Sequence, residues 1–121
     1  MYLLHLNRKP LSRKLLSLSM SALMALSAPV LAAEVDVDAA QALAKKSNCF
    51  KCHSVDKKKD GPSFKETAAK YKGKADAEDT LYKHATTGPK VKIDGKEEVH
   101  EIVKSKNEAD IRNLVRFILS R

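Results

Sequence analysis

The chain of 121 residues is strongly basic, with 23 lysines and arginines against 15 acidic residues. The excess is uneven, because four basic residues and no acidic ones precede residue 34, so residues 34–121 carry a surplus of only four positive charges. In that part lysines alternate with acids instead of forming one block. This pattern argues against a nucleic-acid-binding protein.

The first 33 residues have the pattern of a secretory signal peptide. Basic residues between positions 8 and 14 precede an apolar run over 15–30, and small residues follow at Ala32 and Ala33. The run is short for a bilayer span, so an uncleaved membrane anchor is the less favoured alternative. We therefore expect cleavage after Ala32 or Ala33, no stable membrane insertion afterwards, and a periplasmic domain over 34–121.

The predicted mature domain is too small to bury a large core. A chain of this size buries about 60% of its unfolded surface, and this one has no tryptophan and few other aromatic residues. The only available disulfide would join Cys49 to Cys52 and close a loop too short to constrain much of the unfolded chain. A large apolar cofactor would complete the core better.

The first element of the domain is predicted to be a short helix ending at Asn48. Either Asp36 or Asp38 stands in the cap position, and the helix leads directly into the two cysteines. A polar loop follows and is closed by Gly61 and Pro62. The apolar positions of this first predicted helix are Val37, Ala40, Leu43 and Ala44.

Three further helices are predicted after this loop. The first covers 63–73, and the second covers 75–88 and ends at Gly88. An irregular segment with a possible hairpin turn at Asp94 and Gly95 precedes the last helix, which Asn107 caps. Its apolar face consists of Ile111, Leu114, Val115, Ile118 and Leu119.

Both cysteines lie in the sequence CFKCH at residues 49–53. A redox dithiol usually accompanies a βαβ pattern, which this helical chain lacks, and zinc would require His84 and His100 as additional ligands. CxxCH is the attachment motif of c-type haem: two thiols at this spacing reach two vinyl groups of a porphyrin, and the histidine lies beneath the iron. We predict one covalently bound haem c, with a disulfide or another metal site as alternatives.

With this motif, the GPSF loop at 61–64 and the order of the helices, residues 34–121 resemble the small class I c-type cytochromes of bacteria. The resemblance implies an all-α, class I cytochrome c-like fold of four or five short helices wrapped around one haem. It also implies that the first and last helices pack across each other. Ala40 or Ala44 would then contact Leu114 or Phe117.

The resemblance further assigns roles to four residues. Cys49 and Cys52 would form the thioether bonds, and His53 would be the proximal iron ligand. The carbonyl of Pro62 would accept a hydrogen bond from the other ring nitrogen of His53, which fixes the ring and raises its basicity. Alternatively, GPSF is an ordinary turn.

The chain departs from the family at the sixth iron ligand, which is usually a methionine before the last helix. All three methionines lie in the predicted signal peptide, and His100 stands in that place, 51 positions after Cys49 and seven before Asn107. Imidazole is a good haem ligand, so we predict iron coordination by His53 and His100. His84 is the rival ligand, and an open, lysine-bound or water-bound iron is a third possibility.

Exchanging thioether for imidazole lowers the reduction potential. We therefore predict a monomeric periplasmic electron carrier of low potential, not an enzyme, that docks on redox partner proteins with acidic surfaces. The alternative is a haem-based sensor or small-ligand-binding protein in which His100 leaves the iron. The lysines proposed to surround the haem edge are Lys51, Lys57, Lys58, Lys59, Lys90 and Lys92.

Overall fold

A computed structural model describes residues 34–121, so the predicted signal peptide lies outside the described residues. Within this range the chain forms five short helices and one antiparallel pair of strands, in agreement with the expected all-α fold. Their order is α1 (Val37–Lys46), α2 (Cys49–Cys52), α3 (Phe64–Tyr71), α4 (Ala77–Thr87), β1 (Lys90–Ile93), β2 (Lys96–Val99) and α5 (Glu108–Leu119).

Helix α1 begins at the first of its two candidate caps. The side chain of Asp36 accepts a hydrogen bond from the backbone N–H of Ala39 at 2.9 Å. This bond satisfies one of the donors that a helix leaves free at its N-terminus. The helix ends at Lys46, two residues earlier than predicted, because Ser47 closes its last turn and Asn48 adopts the left-handed conformation.

Helix α3 begins with a reciprocal capping box. Ser63 Oγ accepts from the backbone N–H of Glu66, and the Glu66 carboxylate accepts from the backbone N–H of Ser63 at 2.7 Å. Two free helix donors are thereby satisfied. The hydrogen bond from Ser63 also lowers the pKa of Glu66.

The segment between α4 and α5 contains the predicted hairpin turn. Asp94 and Gly95 have positive φ angles of 49° and 80°, as a tight two-residue turn with the twist of a hairpin requires. The residues on each side pair as β1 and β2, with Ile93 opposite Lys96. Only the turn was predicted, because the sequence of β2 lacks the alternation of a half-buried strand.

The core lies where α5 packs on α1. Ala40 and Ala44 have no exposed surface and belong to one buried cluster with Leu114 and Phe117, which confirms the predicted crossing of the first and last helices. Small side chains on α1 let the two backbones approach closely. Phe117 was absent from the predicted apolar face of α5, yet it is fully buried and contacts Phe64 edge-on at 6.2 Å between ring centroids.

Charged side chains join α4 to the opposite side of α5. Arg116 donates to both carboxylate oxygens of Glu78, each at 3.1 Å, and Arg112 donates to the same group at 3.2 Å. A bidentate contact of this kind fixes the relative orientation of the two side chains as well as their distance. The hydrogen bond from Arg116 lowers the pKa of Glu78.

Candidate functional site

The two cysteines lie at the ends of the single helical turn α2. Cys49 and Cys52 are half-buried and are not joined to each other. Because they are three residues apart on a helix, both side chains lie on one face. Burial raises the pKa of the Cys49 thiol. The turn thus presents two thiols side by side.

His53 follows this turn in extended conformation, and its ring is held in place by the loop after it. Nδ1 lies 2.7 Å from the carbonyl oxygen of Pro62, and the ring stacks on Phe64 at 6.0 Å between centroids. A carbonyl accepts only, so Nδ1 carries the proton in this contact. In the neutral ring, Nε2 is then the nitrogen with a lone pair for a metal.

Gly61 comes unusually close to the same ring. A β-carbon built on Gly61 would lie 2.6 Å from Cε1 of His53, a distance that real side chains do not tolerate. Gly61 also donates its backbone N–H to the carbonyl of Cys52 at 2.8 Å. The loop can therefore close over His53 only because this position has no side chain.

His100 comes directly after β2 and faces His53. The centroids of the two imidazole rings are 6.0 Å apart, with an angle of 49° between the ring planes. Nδ1 of His100 is buried and has no hydrogen-bond partner within the described residues. Burial lowers the pKa of His100, which favours the neutral ring that binds metals.

His84, the rival ligand, lies beside His100. Their ring centroids are 4.5 Å apart and the rings meet edge-on. His84 lies on α4 next to Ala85, which packs against the core. Burial, and then the neighbouring His100, lower the pKa of His84. Sequence analysis missed this contact, because nothing in the spacing of 16 residues indicates it.

The loop that follows His100 is tied to the residues just before the cysteines. Ser47 Oγ accepts from the backbone N–H of Lys104 at 2.9 Å, and Asn48 donates to the Glu101 carboxylate at 3.1 Å. Neither contact is predictable from the sequence. No local pattern reveals a bond across 57 positions.

One alternative for the cysteines finds no support in residues 34–121. In this range no three or more histidine, cysteine, aspartate or glutamate side chains are grouped so as to hold a metal ion. The zinc site considered for the cysteines therefore lacks its ligand set.

None of the helices described in residues 34–121 is long and apolar enough to cross a membrane.

A mostly helical domain with a CxxCH turn, a histidine fixed by the following loop, and α1 packed on α5 defines a small class I c-type cytochrome. Residues 37–121 match the family model for cytochrome c, and the chain belongs to this family. The predicted family and fold are thus confirmed.

Known proteins similar to this chain are bacterial cytochromes. The crystal structure of the class 1 cytochrome MtoD from Sideroxydans lithotrophicus ES-1 is 57% identical, with a TM-score of 0.69, and the match covers 72% of this chain and 97% of that one. The crystal structure of wild-type Nitrosomonas europaea cytochrome c552 is 35% identical, with a TM-score of 0.55, covering 66% and 96%. Cytochrome c-551 of Azotobacter vinelandii is 37% identical over 81 residues, which are 64% of this chain and 92% of that protein.

The family establishes the cofactor and the general activity. The chain is an electron-transfer c-type cytochrome with one covalently bound haem c and its iron, and the two cysteines needed for attachment are present. The arrangement of residues fits such a group. Two thiols lie on one helical turn that His53 follows directly, and the imidazole of His100 lies 6.0 Å from that of His53 between ring centroids.

Proposed function

We propose that the protein is a periplasmic electron carrier of low reduction potential whose haem iron is coordinated by His53 and His100. The observation that carries this proposal is the 6.0 Å separation of the two ring centroids. His53 and His100 would hold the iron: two imidazoles that share one metal ion, with metal–nitrogen bonds of about 2 Å, would have ring centroids roughly 6 Å apart. The haem c would supply an iron that is reversibly reduced and oxidised by one electron.

The surroundings of each ring support the same assignment. His53 is oriented by Pro62 through Nδ1, which leaves Nε2 for the iron. In metal sites such an outer contact fixes the ring and increases its basicity. Burial lowers the pKa of His100 and so favours the neutral ring, and its Nδ1 is not engaged by the described residues.

The low potential follows from the absence of a thioether ligand. Residues 34–121 contain no methionine, so in the mature domain the usual sulfur ligand of the family has no source. Thioether ligation raises the haem potential, and axial ligands control a range of about 0.8 V. A cytochrome with two imidazole ligands therefore exchanges electrons with partners of low reduction potential. A methionine-ligated relative would exchange them with partners of higher potential.

The compartment and the mode of docking are inferred from the sequence and the surface charges. Residues 1–33 have a signal-peptide pattern, and residues 34–121 form the exported cytochrome domain. We infer a monomer that meets acidic partners through its lysines. Lys59 donates to the carbonyl of Phe50 and Lys90 pairs with Glu97 at 3.6 Å, so docking depends more on Lys51, Lys57, Lys58 and Lys92.

Substitution of each histidine tests the ligation. In His100→Ala we expect loss of the low-spin spectrum at neutral pH and rapid carbon monoxide binding by the reduced protein. His84→Ala is the matched control, because it removes the neighbouring imidazole, and it should retain the low-spin spectrum. If His84→Ala loses that spectrum and His100→Ala keeps it, α4 supplies the ligand. If neither variant changes it, the two-histidine proposal is wrong.

A further inference from the structure

We propose that Ser47 is a positioning residue for His100, because its hydroxyl ties the loop over residues 100–104 to the segment that carries the haem cysteines. This inference rests on the proposed function, in which His100 coordinates the iron. Without the tie, His100 would leave the iron more often and open a site for other ligands.

The hydrogen bonds of Ser47 connect three parts of the fold: the end of α1, the segment before the cysteines and the loop over residues 100–104. It is only 2% exposed, and its own N–H closes the last turn of α1 by bonding to the carbonyls of Leu43 and Lys45. Its hydroxyl accepts the Lys104 N–H at 2.9 Å. Lys104 itself is exposed, but this hydrogen bond holds its backbone against the buried Ser47.

Asn48 provides a second tie between the same two segments. Its side-chain nitrogen lies 3.1 Å from the carboxylate of Glu101, the residue after His100. Asn48 has a φ of 60°, a left-handed conformation that asparagine adopts more readily than most residues. Both ties therefore start from the two residues that precede Cys49.

The other attachments of the loop lead towards α4. The backbone N–H of His100 donates to the carbonyl of Pro89, and that of Val103 donates to the carbonyl of Ala85, each at 2.9 Å. If the Ser47 bond is removed, the loop stays attached to the end of α4 but keeps only the Asn48–Glu101 bond to the cysteine segment. His100 then has freedom to move relative to a haem that the thioethers hold at Cys49 and Cys52.

The test is the rate at which carbon monoxide binds to the reduced, haem-loaded Ser47→Ala protein at neutral pH. We expect a rate about tenfold above that of the unchanged protein, which corresponds to about 1.4 kcal/mol, with a low-spin resting spectrum. Asn113→Ala is the matched control. Asn113 also makes long-range bonds to the backbone, with both the N–H and the carbonyl of Asp36, but it contacts no residue of the 100–104 loop in these bonds.

A Ser47→Ala rate equal to that of the Asn113→Ala control overturns the inference, because ordinary destabilisation would then explain any effect. Asn48→Gly keeps the left-handed backbone without strain and removes the bond to Glu101. It should also bind carbon monoxide faster, and it replaces Ser47→Ala if that variant fails to load haem. The ligation itself is judged separately: an unchanged low-spin spectrum in His100→Ala refutes the proposed function, whereas a changed spectrum with unaltered Ser47→Ala rates refutes only the positioning role.

Discussion

Gly61 lies directly against the imidazole of His53. A β-carbon at this position would be 2.6 Å from Cε1 and 3.0 Å from Nδ1, the atom that contacts the Pro62 carbonyl. The absence of a side chain at Gly61 therefore permits the contact that orients His53. Any larger residue must displace either the ring or the loop.

We expect Gly61→Ala to lower the stability of the haem-loaded protein by about 1–3 kcal/mol, the usual cost of overpacking a tight site. The haem spectrum should also change, because His53 is pushed away from Pro62. Urea unfolding and absorbance spectra measure both effects. Gly73→Ala is the control: nothing lies within 4 Å of a β-carbon there, so its cost comes from the positive φ of 76° alone and the spectrum should stay native. Native stability and spectrum in Gly61→Ala would contradict this account.

Covalent attachment predicts that the haem cannot be extracted from the polypeptide. The haem of the haem-loaded protein should remain with the polypeptide in acidified acetone, because thioether bonds to Cys49 and Cys52 survive this treatment. Mass spectrometry of the intact chain should show the added mass of one haem. Detection of a Cys49–Cys52 disulfide without that mass would refute the attachment sites. Cys49→Ser and Cys52→Ser should each retain haem less firmly.

Folding should depend on the haem, since the apolar core of this small domain is incomplete without it. Within residues 34–121 the central buried cluster is small and consists of two alanines, two phenylalanines, one leucine, one isoleucine and one valine. Chain produced without haem should show little helix by circular dichroism and no cooperative thermal unfolding. A haem-free form with near-native helix content would disprove this dependence.

The ion pair between Glu78 and Arg116 should make stability depend on pH. The folded-state pKa of Glu78 lies below its unfolded value, so its contribution is fully present above the unfolded pKa of about 4.3 and is lost as the pH falls through the folded pKa. The side chain is 34% exposed, and after solvent screening we expect about 1 kcal/mol or less.

Comparison with Glu78→Gln isolates this contribution. Urea unfolding should show a less stable variant at neutral pH and a difference that shrinks as the pH falls below the unfolded pKa of about 4.3 and the carboxylate of the unchanged protein becomes protonated. Glu97→Gln is the control, since its pair with Lys90 is well exposed at 61% and 74%. A Glu78→Gln deficit that stays constant with pH would show that packing, not ionisation, is responsible.

Replacement of His100 by methionine should raise the reduction potential. Where the loop lets the sulfur reach the iron, a thioether replaces an imidazole and the potential rises by part of the roughly 0.8 V range under axial-ligand control. Potentiometric titration measures the change, and the near-infrared absorption of methionine ligation reports whether the sulfur binds. His84→Met is the control and should leave the potential unaltered. A methionine-ligated variant with an unchanged or lower potential would contradict the argument.

Features that depend on neighbouring residues were predictable from the sequence. The cap at Asp36, the end of α4 at Gly88, the turn at Asp94 and Gly95, and the cap at Asn107 all appear where local patterns indicated them. Each depends on hydrogen bonds or backbone angles within a few positions. The haem-attachment site was equally predictable from the CxxCH motif, because its chemistry requires a fixed spacing on one helical turn.

Apart from the crossing of α1 and α5, which the family resemblance implied, features that join distant segments were decided by the tertiary structure alone. His84 meets His100, Ser47 meets Lys104, and Phe117 lies fully buried although the helical pattern of α5 did not mark it. The sequence determined which residues have the chemistry to attach haem and bind iron. Which of them lie together was set by the packing of α1 and α5 and by the hairpin that returns the chain to α4, since contacts across tens of positions leave no periodic trace in the sequence.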